Sequence, residues 1–413
     1  MEERTSSRQK YLGDKGLILL LAFLGAFVPL SMDFYLPALP GMSVYFKVPV
    51  NLINLTLILF FIFFSSSVLL WGPLSDKYGR KPALIIGLVI YVIASISCAY
   101  SNSIIQLIVF RAFQALGGGA AVALSTAMIK DVYEGEKRES IMALVQTLYF
   151  IAPAIAPILG AIVLKYATWR GVFWVLAIIG CMALAGSIAL QETIGKRSAG
   201  SLLQTMGRLG SVLKNPGFSS LLIIFSLTGI PLGSYIAASS YIYINTFELS
   251  EQVYSYYFAV NALCLMTGPM IYVRLFKRYK RRTIITGCLS ITALSGLLTC
   301  ILGGLNPWLF ALSLIPGTIA GSSIRPPSTI LMLEQQLEDT GSASALINCF
   351  RLFLGSIGMI LVSFKGLNLV FIIGLVNLMS GVVCGALWIF ISGKSFVRQI
   401  PDFNTASTNR AAC

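Results

Sequence analysis

The chain has 413 residues, 56% of them hydrophobic and 11% charged, with a formal net charge of +14 and no histidine. So few polar groups cannot cover a water-soluble fold of this size, which places the chain in lipid. Without histidine, and without a glycine-rich phosphate loop or a paired carboxylate site, most enzyme classes are excluded.

The amino-terminal tail carries Arg4, Arg8, Lys10 and Lys15, and the apolar run that follows is too long for a signal peptide and lacks a small-residue cleavage site. It reads as a retained first helix. Runs near the roughly 20 residues that span a bilayer fall at 17–39, 52–73, 83–101, 104–129, 141–164 and 171–190. After a polar stretch, six more fall at 218–243, 255–273, 283–303, 307–332, 342–364 and 367–391. Backbone amides in hydrocarbon must find partners inside their own segment, and continuous apolarity excludes a barrel, so each run is predicted to be a helix. The fold class expected is an all-α membrane protein with twelve transmembrane helices in two six-helix bundles, 1–190 and 218–413.

The stretch between them, 191–217, holds Glu192, Lys196, Arg197, Arg208, Lys214 and Pro216 and reads as a cytoplasmic linker. Within it, Leu202, Leu203, Met206, Leu209 and Leu213 recur at helical spacing, which predicts a short surface helix. Placing the amino terminus inside leaves only Lys47, Lys165, Arg170 and Lys365 of the 30 Lys and Arg in external loops. That asymmetry puts both termini in the cytoplasm and makes the basic charge topological and lipid-facing, not a nucleic-acid site. Seven cysteines (Cys98, Cys181, Cys264, Cys288, Cys300, Cys349 and Cys384) lie in the runs without metal-ligand spacing and read as small packing residues. Sliding the chain against itself sets Leu74, Tyr78, Arg80 and Lys81 beside Leu275, Tyr279, Arg281 and Arg282. Both segments join the second and third helices of their half, as duplicated bundles require, although Asp76 then faces Lys277 and Gly79 faces Lys280.

Ionisable groups at membrane depth are costly and therefore functional candidates: one acid, Asp33, and three cations, Arg111, Arg325 and Arg351. Asp33 precedes Pro40 by about two helical turns and Arg111 follows Ile104 by the same interval, so in antiparallel helices they reach similar depth. They are expected to meet directly or through water, as a proton-exchanging pair or as structural partners. Arg325, nearer the cytoplasmic end, is expected to snorkel to water or Glu334. In the second half, Tyr235, Tyr241, Asn261, Asn348 and Arg351 are candidate cavity residues, with interhelical hydrogen bonding as the alternative for each.

Between the second and third helices runs Gly72-Pro73-Leu74-Ser75-Asp76-Lys77-Tyr78-Gly79-Arg80-Lys81-Pro82. Its glycines permit tight turning, Asp76 can accept from a helix amino terminus, and Arg80 seeks another carboxylate. The run resembles the G-x-L-(A/S)-D-(R/K)-x-G-R-(K/R) motif of the major facilitator superfamily. Met32-Asp33-Phe34-Tyr35-Leu36-Pro37-Ala38-Leu39-Pro40 and Arg111-Ala112-Phe113-Gln114-Ala115-Leu116-Gly117-Gly118 are similar to first- and fourth-helix patterns of its drug:proton antiporters, particularly the bicyclomycin and chloramphenicol resistance branch. Ala152-Pro153-Ala154-Ile155-Ala156-Pro157-Ile158-Leu159-Gly160 resembles the antiporter motif of the fifth helix. It departs at Ala152, Ala156 and Ala161, and Pro153 and Pro157 fit a proline-kinked packing helix equally. Trp169-Arg170-Gly171-Val172-Phe173-Trp174 resembles the family's entry to helix 6.

The resemblance implies alternating access by two bundles. It implies Asp33 and Arg111 as the proton-coupling pair, with Tyr35 and Gln114 beside them facing substrate. It implies a cytoplasmic gate of Gly72, Asp76, Gly79, Arg80 and Asp131, with Asp76 at the amino terminus of helix 11 near Gly341-Ser342, and an antiporter helix carrying Pro153, Pro157 and Gly160. The function expected is proton-coupled efflux of small amphipathic molecules across a bacterial inner membrane by a monomer without cofactor, the proton gradient supplying energy. Alternatives are a nutrient symporter and a dedicated exporter of a metabolite or siderophore. Arg111 and Arg351 against the single Asp33 leave an excess positive charge, which favours neutral, zwitterionic or anionic substrates over dications.

Overall fold

The computed structural model describes residues 11–194, 202–336, 340–364 and 368–394, without the side chains of 202–206. Arg4, Arg8, Lys10, Lys196, Arg197 and Lys365, and the side chains of Leu202, Leu203 and Met206, lie outside the described set. The described residues contain no strand and twelve helical spans long and apolar enough to cross a membrane. In chain order these are Gly13–Phe46, Val50–Tyr78, Arg80–Ala99, Ile104–Val132, Gly135–Tyr166 and Trp169–Ala189, then Pro216–Thr246, Glu251–Phe276, Arg281–Leu302, Pro307–Leu333, Thr340–Leu361 and Leu369–Ile391. They are called spans 1 to 12 below. A further helix, Leu202–Leu213, occupies the segment where leucine spacing predicts one.

Several spans run past the apolar runs that announce them, because a helix ends where its backbone is stopped, not where hydropathy falls. Span 2 continues through Asp76 to Tyr78 and stops at Gly79, whose φ of 109° only glycine adopts without strain. Four spans start on side-chain caps: Ser103, Asn215, Asn306 and Asn368 accept from first-turn amides.

Proline interrupts three spans, each beside a candidate site. Span 1 is helical over Gly13–Asp33, passes through a 3₁₀ turn at Leu36–Ala38 and resumes over Leu39–Phe46. Pro37 and Pro40 supply no amide there, so the carbonyl of Asp33 loses its helical partner and the first helix ends on that residue. Span 7 is interrupted at Thr228–Gly229, just before Pro231. Span 10 is interrupted at Ile324, just before Pro326 and Pro327.

The chain divides into two compact units, Met1–Thr205 with Tyr243–Ala259, and Met206–Ile242 with Val260–Cys413. Within the first, span 3 packs on spans 4 and 6 and span 1 on span 5; within the second, span 9 packs on spans 10 and 12 and span 7 on span 11. The second set repeats the first with each index raised by six, the internal signature of a duplicated six-helix bundle. Buried Leu21, Phe27, Leu88 and Leu124 centre the first core, and Phe225, Ile285, Leu289 and Trp388 the second.

With lipid outside and no hydrophobic drive between helices, close contact comes from small residues. A Cβ on Gly117 would press on the backbone of Gly87 and Tyr91, and one on Gly233 or Gly358 on the backbone of Gly355 or Ile230. Backbone cannot yield as a flexible side chain can. Gly117→Val is therefore expected to lower stability by about 1–3 kcal/mol, read as a fall in the thermal unfolding midpoint of the purified protein. Gly287→Ala, where nothing lies within 4 Å of the new carbon, should leave the midpoint unchanged or slightly raised.

Candidate functional site

Asp33 closes the first helix of span 1 and is the only buried carboxyl among the described residues, with 6% exposure. Span 5 reaches it through Gly160, where any Cβ would run into the carbonyl oxygen of Phe34, the residue after Asp33. Gly160 thus has a packing task at the residue that follows Asp33. Span 5 stays helical through Pro153 and Pro157, and Ser255 Oγ donates to the carbonyl of Pro157 at 2.9 Å.

Arg111, on span 4, has 0% exposure. Its Nη1 donates to Gln114 Oε1 at 2.6 Å and more weakly to the carbonyl of Ser31 at 3.5 Å. Gln114 is held in turn by donating to Ser95 Oγ at 2.7 Å, and Ser31 Oγ shares a hydrogen bond of 2.6 Å with Tyr91 Oη. The rest of the guanidinium lies among rings, its central carbon 4.2 Å from the centroid of Phe60, 4.8 Å from Tyr35 and 5.9 Å from Phe173. A desolvated cation over aromatic faces gains about 2 kcal/mol per good contact, which offsets part of its burial. Tyr35 is fixed by a 2.9 Å bond to Thr56 Oγ1 and by its contact with Phe173. The contact Arg111 makes with the backbone of span 1 is at Ser31, two residues before Asp33; no ion pair or hydrogen bond joins Asp33 and Arg111, and Nε and Nη2 of Arg111 have no hydrogen-bond partner among the described residues. Two donors are available to a carboxylate that is not on them.

The loop between spans 2 and 3 forms a second cluster. Arg80 Nη1 lies 2.6 Å from Asp76 Oδ1, and Arg80 Nε 2.8 Å from Asp131 Oδ2 at the end of span 4. Ser75 Oγ accepts from Arg80 Nη1 and donates to the carbonyl of Gly72. Glu192, which sequence reasoning left in the linker, belongs to this cluster: its carboxylate accepts from the amides of Arg80 at 2.9 Å and Lys81 at 3.2 Å. It caps the amino terminus of span 3 from across the bundle, where a carboxylate meets both orphan amides and the positive end of the helix. A Cβ on Gly79 would strike that carboxylate, so Gly79 serves both the turn and the cap. Gly72, by contrast, has open space around it. The available signal for Glu192 was an acid just beyond the apolar run of span 6.

In the second unit, Tyr235, Asn261 and Arg351 line one cavity of about 60 Å³, room for a few waters. Arg325, half-exposed, lines the same cavity. Tyr241 is buried but does not line this cavity, and Asn348 is exposed on span 11. Thr228 and Gly229, at the interruption of span 7, and Ile324, at that of span 10, complete the wall.

The sequence profile of the Major Facilitator Superfamily matches residues 21–359. An MFS-type transporter of Bacillus subtilis, YdgK, is 30% identical over 351 residues, 83% of this chain and 87% of its own. A bicyclomycin resistance protein homolog of Haemophilus influenzae is 26% identical over 84% of this chain and 89% of its own, in line with the motifs on spans 1, 4 and 5. A crystal structure of the peptide transporter POT with alafosfalin superposes with a TM-score of 0.74 at 15% identity, covering 97% of this chain and 100% of that one, a likeness of fold alone. With twelve spans, the repeated packing scheme and the loop after span 2, this multi-pass membrane protein belongs to the Major Facilitator Superfamily, whose members are transporters of small molecules and not enzymes.

Proposed function

We propose that the chain is a proton-coupled exporter of small amphipathic molecules in the bacterial inner membrane, with both termini in the cytoplasm. The observation that carries this reading is Asp33, a solitary buried carboxyl among the described residues at a proline-broken helix end, two residues after the Ser31 carbonyl that Arg111, an arginine with two unfilled donors, reaches. An ion alone in such surroundings is expensive, and a proton or a cationic partner removes the cost. In the cycle proposed, Asp33 is neutral while the guanidinium rests on its rings; when the proton leaves, the carboxylate turns to Nε and Nη2 of Arg111, directly or through water. Proton loss then pulls span 1 toward span 4. Because Gly160 seats span 5 on Phe34, that pull reaches the antiporter helix. The similarity to a bicyclomycin resistance protein homolog supports export over uptake, and the contacts of Tyr35 and Gln114 with Arg111 support a role for both in relaying its movement.

Asp33→Asn keeps shape but cannot titrate. Everted vesicles carrying it should lose pH-driven accumulation of every compound the parent protein moves, while the purified variant stays folded and monodisperse. Undiminished proton-driven accumulation would refute the assignment. The compounds come from a susceptibility panel in cells lacking their own efflux pumps.

The cluster around Arg80 is proposed to bias the balance between inward- and outward-open forms. Glu192→Gln keeps a hydrogen-bond acceptor but removes the charge at the helix end, a change worth about 0.5–2 kcal/mol. That suffices to shift a balanced two-state equilibrium several-fold. Spin-label distances across the cytoplasmic and external ends should redistribute in opposite directions in this variant and in Arg80→Gln. Distributions superimposable on the parent's would show that the cluster is only a fold staple.

A further inference from the structure

The loop that joins spans 2 and 3 and the loop that joins spans 8 and 9 are counterparts, but they handle their charges differently. In the first, Arg80 pairs with Asp76 and Asp131, Glu192 accepts from the amides of Arg80 and Lys81, and Lys81 Nζ donates to the carbonyl of Ile188 at 2.7 Å. In the second, residues 274–282 contain six cations and no acid: Arg274, Lys277, Arg278, Lys280, Arg281 and Arg282. Arg281 is half-buried, its guanidinium carbon 5.3 Å from the ring centroid of Phe276, and is not part of the exposed patch. The other five are exposed, and none has an ion pair or a side-chain hydrogen bond among the described residues. Glu334 is the only acid among the described residues of the second unit.

Five like charges so close together repel one another, and left unneutralised they are drawn to an anionic surface. Topology alone does not ask for this arrangement. An excess of cations on one side of a membrane is supplied equally by a loop whose charges are paired, as the first one is. The patch lies at the membrane surface, since Phe276 ends span 8 and Arg281 begins span 9. Clustered Lys and Arg directly beyond a membrane span attract acidic headgroups. Below the patch, span 9 has an apolar outer face, on which Ile291, Leu294, Leu297 and Ile301 are exposed at helical spacing. That face opens at Gly287, where a Cβ would meet nothing within 4 Å, about 8 Å along the helix from Arg282. A basic collar above a shallow apolar notch fits a molecule with a phosphate at one end and a hydrocarbon chain at the other. A soluble anion would use the collar and leave the notch idle.

We propose that this loop is a seat for one anionic phospholipid of the cytoplasmic leaflet. Arg278, Lys280 and Arg282 meet the headgroup phosphate, and the face of span 9 from Gly287 to Leu294 carries an acyl chain. The seat rests on the proposed topology only for which leaflet supplies the lipid, and not on the direction of transport or its coupling to protons.

The test is native mass spectrometry of the full chain, released from detergent after titration with palmitoyl-oleoyl phosphatidylglycerol or with the phosphatidylcholine of the same chains. The first phosphatidylglycerol should bind about tenfold more tightly than phosphatidylcholine, as two or three headgroup-facing cations require. Lys280→Gln combined with Arg282→Gln should remove most of that preference and leave phosphatidylcholine affinity unchanged, which also establishes that the variant is folded. Lys47→Gln combined with Lys165→Gln, which removes the same charge from external loops, should keep the preference whole. Soluble sn-glycerol 1-phosphate in large excess should not displace the lipid. Equal affinity for the two lipids, a preference that survives loss of Lys280 and Arg282 or falls equally in the external control, or displacement by glycerol phosphate would overturn the seat. Because binding is read in detergent, a failed proton-coupling assay leaves this result untouched, and the reverse holds as well.

Discussion

A guanidinium with no exposed surface, in the middle of a helix bundle with no carboxylate bonded to it, is the constraint around which the first unit is built. Arg111 is tolerable there because three rings face it, because Gln114 and a backbone carbonyl take some of its donors, and because those groups are themselves tethered. Remove the tethers and each partner is free to leave. Ser95 orients Gln114, Thr56 orients Tyr35, and the Ser31–Tyr91 bond ties span 1 to span 3 beside the arginine. The glycines serve the same end, since Gly117 lets span 4 lie on span 3 closely enough for short side chains such as serine to reach across. The donors that remain unfilled then have a definite use, because a second charge arriving nearby finds its partner already in place and oriented.

The second unit repeats the packing scheme but not the chemistry. Spans 9, 10 and 12 and the pair 7 and 11 match 3, 4 and 6 and the pair 1 and 5, with Gly233 and Gly358 making the close approach that Gly160 makes in the first unit. The interrupted first helix of each unit borders a charged site. In one that site holds an acid and an enclosed arginine; in the other it holds two arginines around an open cavity. The duplicated scaffold thus carries different ionisable residues in its two halves. The loop after span 2 is likewise single: its arginine pairs with Asp76 and Asp131, while in the second half Lys277 stands opposite Asp76 and Lys280 opposite Gly79.

How far the sequence revealed this follows from what hydropathy measures. Span number and approximate position were legible because an apolar run of sufficient length is a property of a segment by itself. Asp33 and Arg111 were legible because ionisable residues are so rare in those runs. Arg80 and Asp131 came from the motif, and their contact is present. Glu192 was not legible: its cap joins residues 112 positions apart, and the apolar run of span 6 ends just before it, which made it look like linker. That Arg325 lines the cavity was not legible, because hydropathy gives depth along a helix and not the direction a side chain faces. Phe60 and Phe173 were invisible for a simpler reason. A phenylalanine that faces a cation and one that faces lipid look the same in an apolar run.

The central claim is that Asp33 carries the proton that substrate displaces, and the most direct measurement is proton release from the purified protein. The protein would be held in weakly buffered detergent with a pH-sensitive dye, and a compound that its vesicles export would be added. Proton release that saturates with the compound, is absent from Asp33→Asn and returns in Asp33→Glu is the result this account predicts. Equal release from the parent protein and Asp33→Asn, or exported compound bound by the parent without any release, would contradict it.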